Sequence, residues 1–311
     1  MKLLITGGLG NLGLWFVEHF LAKGWNVTAL GRSERIFIHH PNYRFIAADV
    51  VNRQALELAV DEYYDYCIHA ASLNEYFLEG YSEKALAINA LGADNLCHAL
   101  IKHGVGKLIY ISTFHVYGAS SGCVHESSPV TPKNDYGLTH YFAEKYIEKH
   151  HHLNELNYCI FRLSNGYGCP KDLNTDKWYL LLNDLCRTAV MSGEIVLKGD
   201  GSSKRDFIWM GDVVRVVEIA LVNDQLQSGC FNLSSGKSYQ VKDLALKVLS
   251  VYRRLYGREL RVNIDLSKVP ESEGLSVNNS KLLSCLDYVF EERIDEEAEN
   301  IMRLIEKAEN G

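Results

Sequence analysis

The chain has 311 residues, 47% hydrophobic and 23% charged, an ordinary globular usage that excludes disordered, collagen-like and coiled-coil classes. A net charge of −7 with no basic stripe argues against a nucleic-acid partner, and no apolar run approaches the roughly 20 residues needed to span a bilayer. The eight cysteines form no C-x-x-C pair and read as small buried hydrophobes of a reducing compartment; with no charged leader at the start, the expectation is a cytoplasmic protein.

Short apolar runs alternate with amphipathic stretches from the first residues, the pattern of right-handed βαβ units around a parallel sheet. Strands are expected at 2–6, 26–30, 43–46, 65–69, 107–111 and 158–162, with helices at 11–23, 53–60, 82–102 and 136–153. Past residue 163, Gly166, Gly168 and Pro170 break the alternation, and a smaller lobe is expected to begin there. A helix at about 177–191 follows. A strand at 206–210 and a helix from Asp212 are then expected to return to the main sheet, followed by a strand at 229–233. Helices at 240–255, 279–285 and 294–308 complete the chain.

Between the first strand and the first helix lies Gly7-Gly8-Leu9-Gly10-Asn11-Leu12-Gly13. Glycines at this spacing provide a tight turn, close backbone approach to a pyrophosphate and close helix-on-strand packing. The helix opening near Asn11 turns its free amides and positive dipole end toward the phosphates. The expectation is a nicotinamide dinucleotide held by Gly7, Gly10, Asn11, Leu12 and Gly13. The fold class is therefore α/β, a Rossmann-type doubly wound parallel sheet with a smaller C-terminal α/β substrate-binding lobe. Residues 1–165, with a return segment at about 206–234, make the dinucleotide domain; 166–205 and 235–311 make the lobe.

The second strand runs into Gly31-Arg32-Ser33, without the acid that commonly holds an NAD ribose. Arg32 could pair with a 2′-phosphate and Ser33 add a hydrogen bond, so NADP(H) is expected, with NAD as the alternative if Arg32 instead stacks on adenine. Asp49, followed by Val50, is placed to accept from the adenine amino group or else to cap a helix. Ala70 and Ala71, closing the fourth strand, complete the cofactor set.

Gly7–Gly13, His69-Ala70-Ala71, Ile111-Ser112-Thr113 through Gly118, and Tyr136-Gly137-Leu138-Thr139-His140 together resemble the extended short-chain dehydrogenase/reductase family that modifies nucleotide sugars. Arg162 through Pro170, Arg205-Asp206-Phe207-Ile208 and Phe231-Asn232-Leu233 extend the resemblance over nearly the whole chain. It implies a tyrosine that exchanges a proton with a sugar hydroxyl, a lysine four residues on, and a Ser or Thr on the reacting oxygen. Thr113 fits the last role. Tyr136 with Gly137, Thr139 and Glu144 matches the family frame, leaving His140 at the lysine position. The literal Tyr141-x-x-x-Lys145 competes, but five residues rotate a helix by about 140° beyond a full turn, so both tyrosines cannot face one ligand.

The catalytic set is thus Thr113, Tyr136 and His140, the last two also touching the cofactor. The resemblance further implies that Thr113, His115, Asn165, Arg205 and Phe207 bind a nucleotide-diphosphate sugar, with Asn165 and Arg205 on the diphosphate and Phe207 near the base. Relatives often carry another arginine before the last helices, where this chain has only lysines, so that either Lys268 substitutes or the nucleotide is held differently. Phe114 and His115 stand where 4,6-dehydratases of this type carry Asp-Glu, which disfavours dehydration. Hydride exchange at a sugar carbon, C4 foremost, remains, as epimerisation or 4-keto reduction; a regulator that binds NAD(P) with weak chemistry is the alternative that His140 raises. The helices at 82–102 and 136–153 resemble the family's dimer-forming pair and imply a homodimer. His39-His40 and His150-His151-His152 lack a spaced acidic or Cys partner and read as solvated surface, so no metal is expected.

Overall fold

The structure is a computed structural model that describes residues 1–74, 80–265 and 274–309. Seven parallel strands form the central sheet in the order Gly229–Leu233, Tyr158–Leu163, Val105–Thr113, Tyr64–His69, Lys2–Thr6, Asn26–Gly31 and Tyr43–Ala47. Both faces are covered, which is why the inner strands are continuous apolar runs and not alternating ones. One face carries helices Asn11–Ala22 and Met210–Val222, with Phe16, Phe20, Val213 and Val217 in its core. The other carries Arg53–Ala59, Gly92–His103 and Asp135–His152 around Leu56, Leu96, Leu100, Ala143 and Ile147. Among the described residues no helix is long and apolar enough to cross a membrane.

Three expectations change. The helix expected at 82–102 divides into Tyr81–Ala85, a π-helical turn Leu86–Leu91, and Gly92–His103. The wide turn contains Asn89, whose buried amide donates to Leu73 O at 3.0 Å and to Thr139 Oγ1 at 3.0 Å and accepts from Leu73 N at 2.7 Å. Such turns recur at functional sites because they reposition one side chain without ending the helix. Second, the strand Lys204–Trp209 does not rejoin the main sheet. It lies between Asn165–Tyr167 and Ser238–Gln240 in a separate three-stranded sheet; the helix after it packs back on Asn11–Ala22, and Gly229–Leu233 alone of this segment extends the main sheet. Third, the lobe contains strands that composition did not announce, including Glu194–Lys198 paired with Arg261–Asp265. Its own core joins helices Leu181–Ser192, Val241–Tyr256 and Ile294–Glu309 through Leu185, Val248 and Ile301.

A charged pair is also buried in this largely apolar interior. Glu144, fully buried on helix Asp135–His152, accepts from Arg162 Nε at 3.0 Å and Nη2 at 2.7 Å and from Ser112 Oγ at 2.6 Å. Arg162 also lies over the Tyr117 ring at 4.8 Å. Removing one partner strands a buried charge. Arg162→Met is therefore expected to lower the unfolding free energy by about 3–5 kcal/mol. The double variant Arg162→Met/Glu144→Leu is expected to recover part of it, measured by urea unfolding.

Candidate active site

The first strand ends in a loop built backbone on backbone. Gly7 has φ +68°, and a Cβ there would stand 2.8 Å from the Ala71 backbone; one on Gly13 would stand 2.0 Å from Gly7 O. Gly7 N donates to Leu30 O at 2.9 Å and Ala70 N to Thr6 O at 3.2 Å, so the loop is stitched to the ends of three strands. Gly10 caps helix Asn11–Ala22 without any side-chain hydrogen bond, which leaves first-turn amides for an anion. Asn11 Oδ1 is buried without a partner. This cradle of close-packed glycines and open amides fits a dinucleotide pyrophosphate.

At the adenosine end Arg32 and Ser33 are exposed just past the second strand. Arg35, to which the sequence reading gave no role, reaches Leu9 O at 3.4 Å and so lies beside the glycine loop. Asp49 accepts from Val51 N at 3.1 Å, whereas Asn52 caps the helix Arg53–Ala59; the cap alternative for Asp49 falls away. Val50 is buried against Gly92, where a Cβ would approach it to 2.9 Å.

At the other end the fifth strand delivers Thr113, buried, whose Oγ1 accepts from His115 N at 3.2 Å and opens the turn Phe114–Tyr117. Asn134 caps helix Asp135–His152 by accepting from Gly137 N at 2.8 Å. Gly137 lets the helix start press on that turn, since a Cβ would stand 2.6 Å from His115 O. Tyr136 and His140 then face one another one helical turn apart, ring centroids 4.6 Å, and the His115 ring is 5.5 Å from Tyr136. Tyr141 points elsewhere: it packs with Val116 and Phe114, and Lys145 lies over its ring at 5.0 Å while pairing with Glu148.

His140 is buried, with Nδ1 2.6 Å from Tyr110 Oη and Nε2 without a partner. Burial, reinforced by His69 and His115, lowers it to about 3, so it is neutral. His69 repeats the pattern on the neighbouring strand: Nδ1 is 2.6 Å from Thr6 Oγ1, Nε2 is unpartnered, and burial lowers it to about 4. Tyr110 lies stacked between the two rings at 5.4 and 5.8 Å. Neither His69 nor Tyr110 had been assigned a role. His69 stood in the quoted His-Ala-Ala motif, but Tyr110 becomes visible only through the pairing of adjacent strands that sets it opposite His69.

From the lobe, Asn165 donates to Asp206 O at 2.8 Å, and Ser164 donates to the buried Asp206 carboxyl at 2.5 Å; burial pushes that carboxyl up to about 6. Arg205 is exposed, and no hydrogen bond or ion pair among the described residues holds its guanidinium. Its charge reaches His115, which is itself exposed; desolvation by the surrounding protein, then Arg205, lowers that histidine to about 4. Phe207 is a correction. It is 5% exposed among Tyr167, Leu197 and Leu244 in the lobe core and offers no face to a base. Lys268 lies outside the described residues.

The surface reading of the histidine run also fails at His150, which is buried with Nδ1 2.8 Å from Glu155 and Nε2 2.9 Å from Asp94. Asp94 also meets Lys149 and His98, so this group ties two helices together. Glu155 follows His150 by only five residues, whereas Asp94 is remote in sequence and meets it only through the packing of the two helices.

Because His69 and His140 titrate at 6.5 when unfolded but near 4 and 3 when folded, the unfolded chain takes up protons that the folded one refuses. Stability is therefore lost as pH falls from about 6.5 toward 4. His140→Gln is expected to flatten that slope, checked by urea midpoints at successive pH values.

The sequence pattern of the NAD dependent epimerase/dehydratase family matches residues 3–234. A UDP-glucose 4-epimerase of Halalkalibacterium halodurans is 26% identical over 309 residues, 93% of this chain and 90% of that one. A dTDP-glucose 4,6-dehydratase of Streptomyces niveus is 25% identical over 303 residues, 89% of this chain and 88% of that one. Among solved structures, the UDP-glucuronic acid 4-epimerase of Bacillus cereus in complex with UDP-glucuronic acid and NAD superposes with a TM-score of 0.82. It is 22% identical over 99% of this chain and 100% of that one, a likeness of fold.

Proposed function

This chain belongs to the NAD dependent epimerase/dehydratase family, and from that premise we propose that it interconverts nucleotide-diphosphate sugars by hydride exchange at one sugar carbon, C4. The observation that carries the reading is the gathering of Thr113, Tyr136 and His140 at the carboxyl ends of parallel strands. That is where ligands bind in such sheets. When bound on the Gly7–Gly13 cradle, the nicotinamide supplies reversible hydride acceptance. Tyr136 takes the proton of the sugar hydroxyl as that carbon is oxidised and returns one on reduction. The Thr113 hydroxyl hydrogen, its oxygen already accepting from His115 N, is available to hold the same sugar oxygen.

Asn165 and Arg205 take the diphosphate, Arg205 providing the local positive charge that an acidic protein needs for an anion. Phe114 and His115 stand where elimination would require a carboxyl acid and base, which favours epimerisation or 4-keto reduction over dehydration. The family and the NAD-bound neighbour support NAD as dinucleotide. Arg32 and Ser33 are the residues that would take a 2′-phosphate if NADP(H) is used. A homodimer through helices Gly92–His103 and Asp135–His152, with the turn before the first, is supported by Leu86, Leu91 and Phe142, each exposed by 40% or more.

Thermal-shift titration with NAD, NADP and UDP- or dTDP-sugars tests binding; stabilisation by a dinucleotide and by at least one nucleotide sugar is expected, and no response to either overturns the reading. Tyr136→Phe is expected to lower kcat by about 10²–10⁴ with dinucleotide binding retained, while Tyr141→Phe leaves kcat within about twofold, on the order expected for a side chain away from the chemistry.

A further inference from the structure

Where family members are expected to carry a lysine, His140 offers no charge, yet its ring is buried and bonded through Nδ1 to Tyr110. We propose that Tyr110 is a positioning residue that locks His140 in its Nε2–H tautomer, making a neutral imidazole a one-way hydrogen-bond donor to the nicotinamide half of the dinucleotide. The proposal rests on the dinucleotide reading given above.

Counting hydrogens over the 2.6 Å contact between Tyr110 Oη and His140 Nδ1 decides the tautomer. Burial raises the Tyr110 phenol well above its ordinary range, so the oxygen carries its proton. A neutral imidazole carries one N–H. If Nδ1 bore that hydrogen and donated to Tyr110, the phenol O–H would have no acceptor, since Tyr110 makes no other hydrogen bond among the described residues, and the Nε2 lone pair would also be unmet. If Tyr110 donates to Nδ1, only the Nε2–H is unmet. Each unmet buried polar group costs about 1–3 kcal/mol, so the second arrangement wins by one whole group. The remaining Nε2–H is buried and unpartnered, and it belongs to the ring 4.6 Å from Tyr136.

Tyr110 is well built for such a task. It stands on a central strand, 1% exposed, opposite His69, with its ring layered between His69 and His140 at interplanar angles of 26° and 23°. Tyr110 is thus covered on both faces by imidazole rings, which holds its oxygen beside His140 Nδ1. The donor therefore needs no reorganisation when an acceptor arrives, which is where a fixed dipole is most effective. His140 transfers no proton in this scheme. The proton of the sugar hydroxyl moves to and from Tyr136 alone, and His140 Nε2–H only donates a hydrogen bond.

The test uses the full chain labelled with ring-¹⁵N histidine, its His140 signals assigned by their loss in His140→Gln. Long-range ¹H–¹⁵N spectra at neutral pH are expected to show His140 protonated at Nε2 and bare at Nδ1; protonation at Nδ1 overturns the proposal. Tyr110→Phe is expected to bring Nδ1–H character into His140 and to weaken NAD(H) binding about tenfold, with kcat falling more than the sugar KM rises. An unchanged tautomer together with unchanged NAD(H) affinity overturns it. Should Tyr110→Phe not fold, His140→Gln, which keeps an acceptor for Tyr110 and a donor beyond it, is expected to bind NAD(H) at least fivefold more tightly than His140→Leu; equal affinities overturn it. Wild-type protein that binds neither NAD(H) nor NADP(H) sinks the dinucleotide reading instead, because the tautomer is measured without ligand.

Discussion

The catalytic end of this molecule depends on a charge pair placed where charge is least welcome. Glu144 and Arg162, with Ser112, connect one helix to two central strands inside an otherwise apolar layer. Glu144 follows His140 by one helical turn and Tyr136 by about two, so all three lie along one side of the helix. Hydrophobic packing alone tolerates sliding along the axis, because one methyl group replaces another at little cost. A bidentate guanidinium–carboxylate contact does not. The pair thereby sets the helix in register against the strand that ends in Thr113, and Asn89, bonded to both Thr139 and Leu73, adds a second polar fastening from the π-helical turn.

Upstream of that lock, the site is notable for its neutrality. His69, His115 and His140 are all held well below their ordinary pKa. A lysine at the His140 position would have favoured a tyrosine phenolate by Coulomb attraction. A neutral donor stabilises the same phenolate only through a hydrogen bond, a smaller but directional effect. The arrangement exchanges electrostatic strength for geometric definition, which explains why the partners of His140 are aromatic and layered.

The parts of this design that were legible in the sequence are those written in local spacing. The Gly7–Gly13 loop, its flanking strand and helix, and the placing of Tyr136 and Tyr141 on different sides of one helix all follow from residues within one or two turns of each other. The lobe strands were not legible, because elements of three to five residues such as Asn165–Tyr167 and Glu194–Lys198 are too short for a period-2 signal. Nor was the environment of His140, since Tyr110 and His69 reach it through strand register between segments 30 to 70 residues apart. Phe207 and His150 illustrate the same limit from opposite sides: a motif aromatic that the lobe core absorbed, and a polar run that found Asp94 across a helix pair.

The turn after Thr113 ties this architecture to the choice of chemistry. Its first two residues, with ring centroids 4.3 Å apart, have different surroundings: Phe114 packs with Val116 and Tyr141 in a small apolar cluster, while His115 is exposed within reach of the Arg205 charge. Eliminating water from a sugar requires a proton donor and a proton acceptor on neighbouring carbons, both near neutral pH in strength. Phe114 can be neither, and Arg205 disfavours the protonated form of His115. Redox exchange asks only for a hydride partner and one proton carrier, the part proposed above for Tyr136. A turn with Phe114 in an apolar cluster and a neutral His115 is thus in keeping with the proposed reversible oxidation at a carbon whose hydroxyl returns.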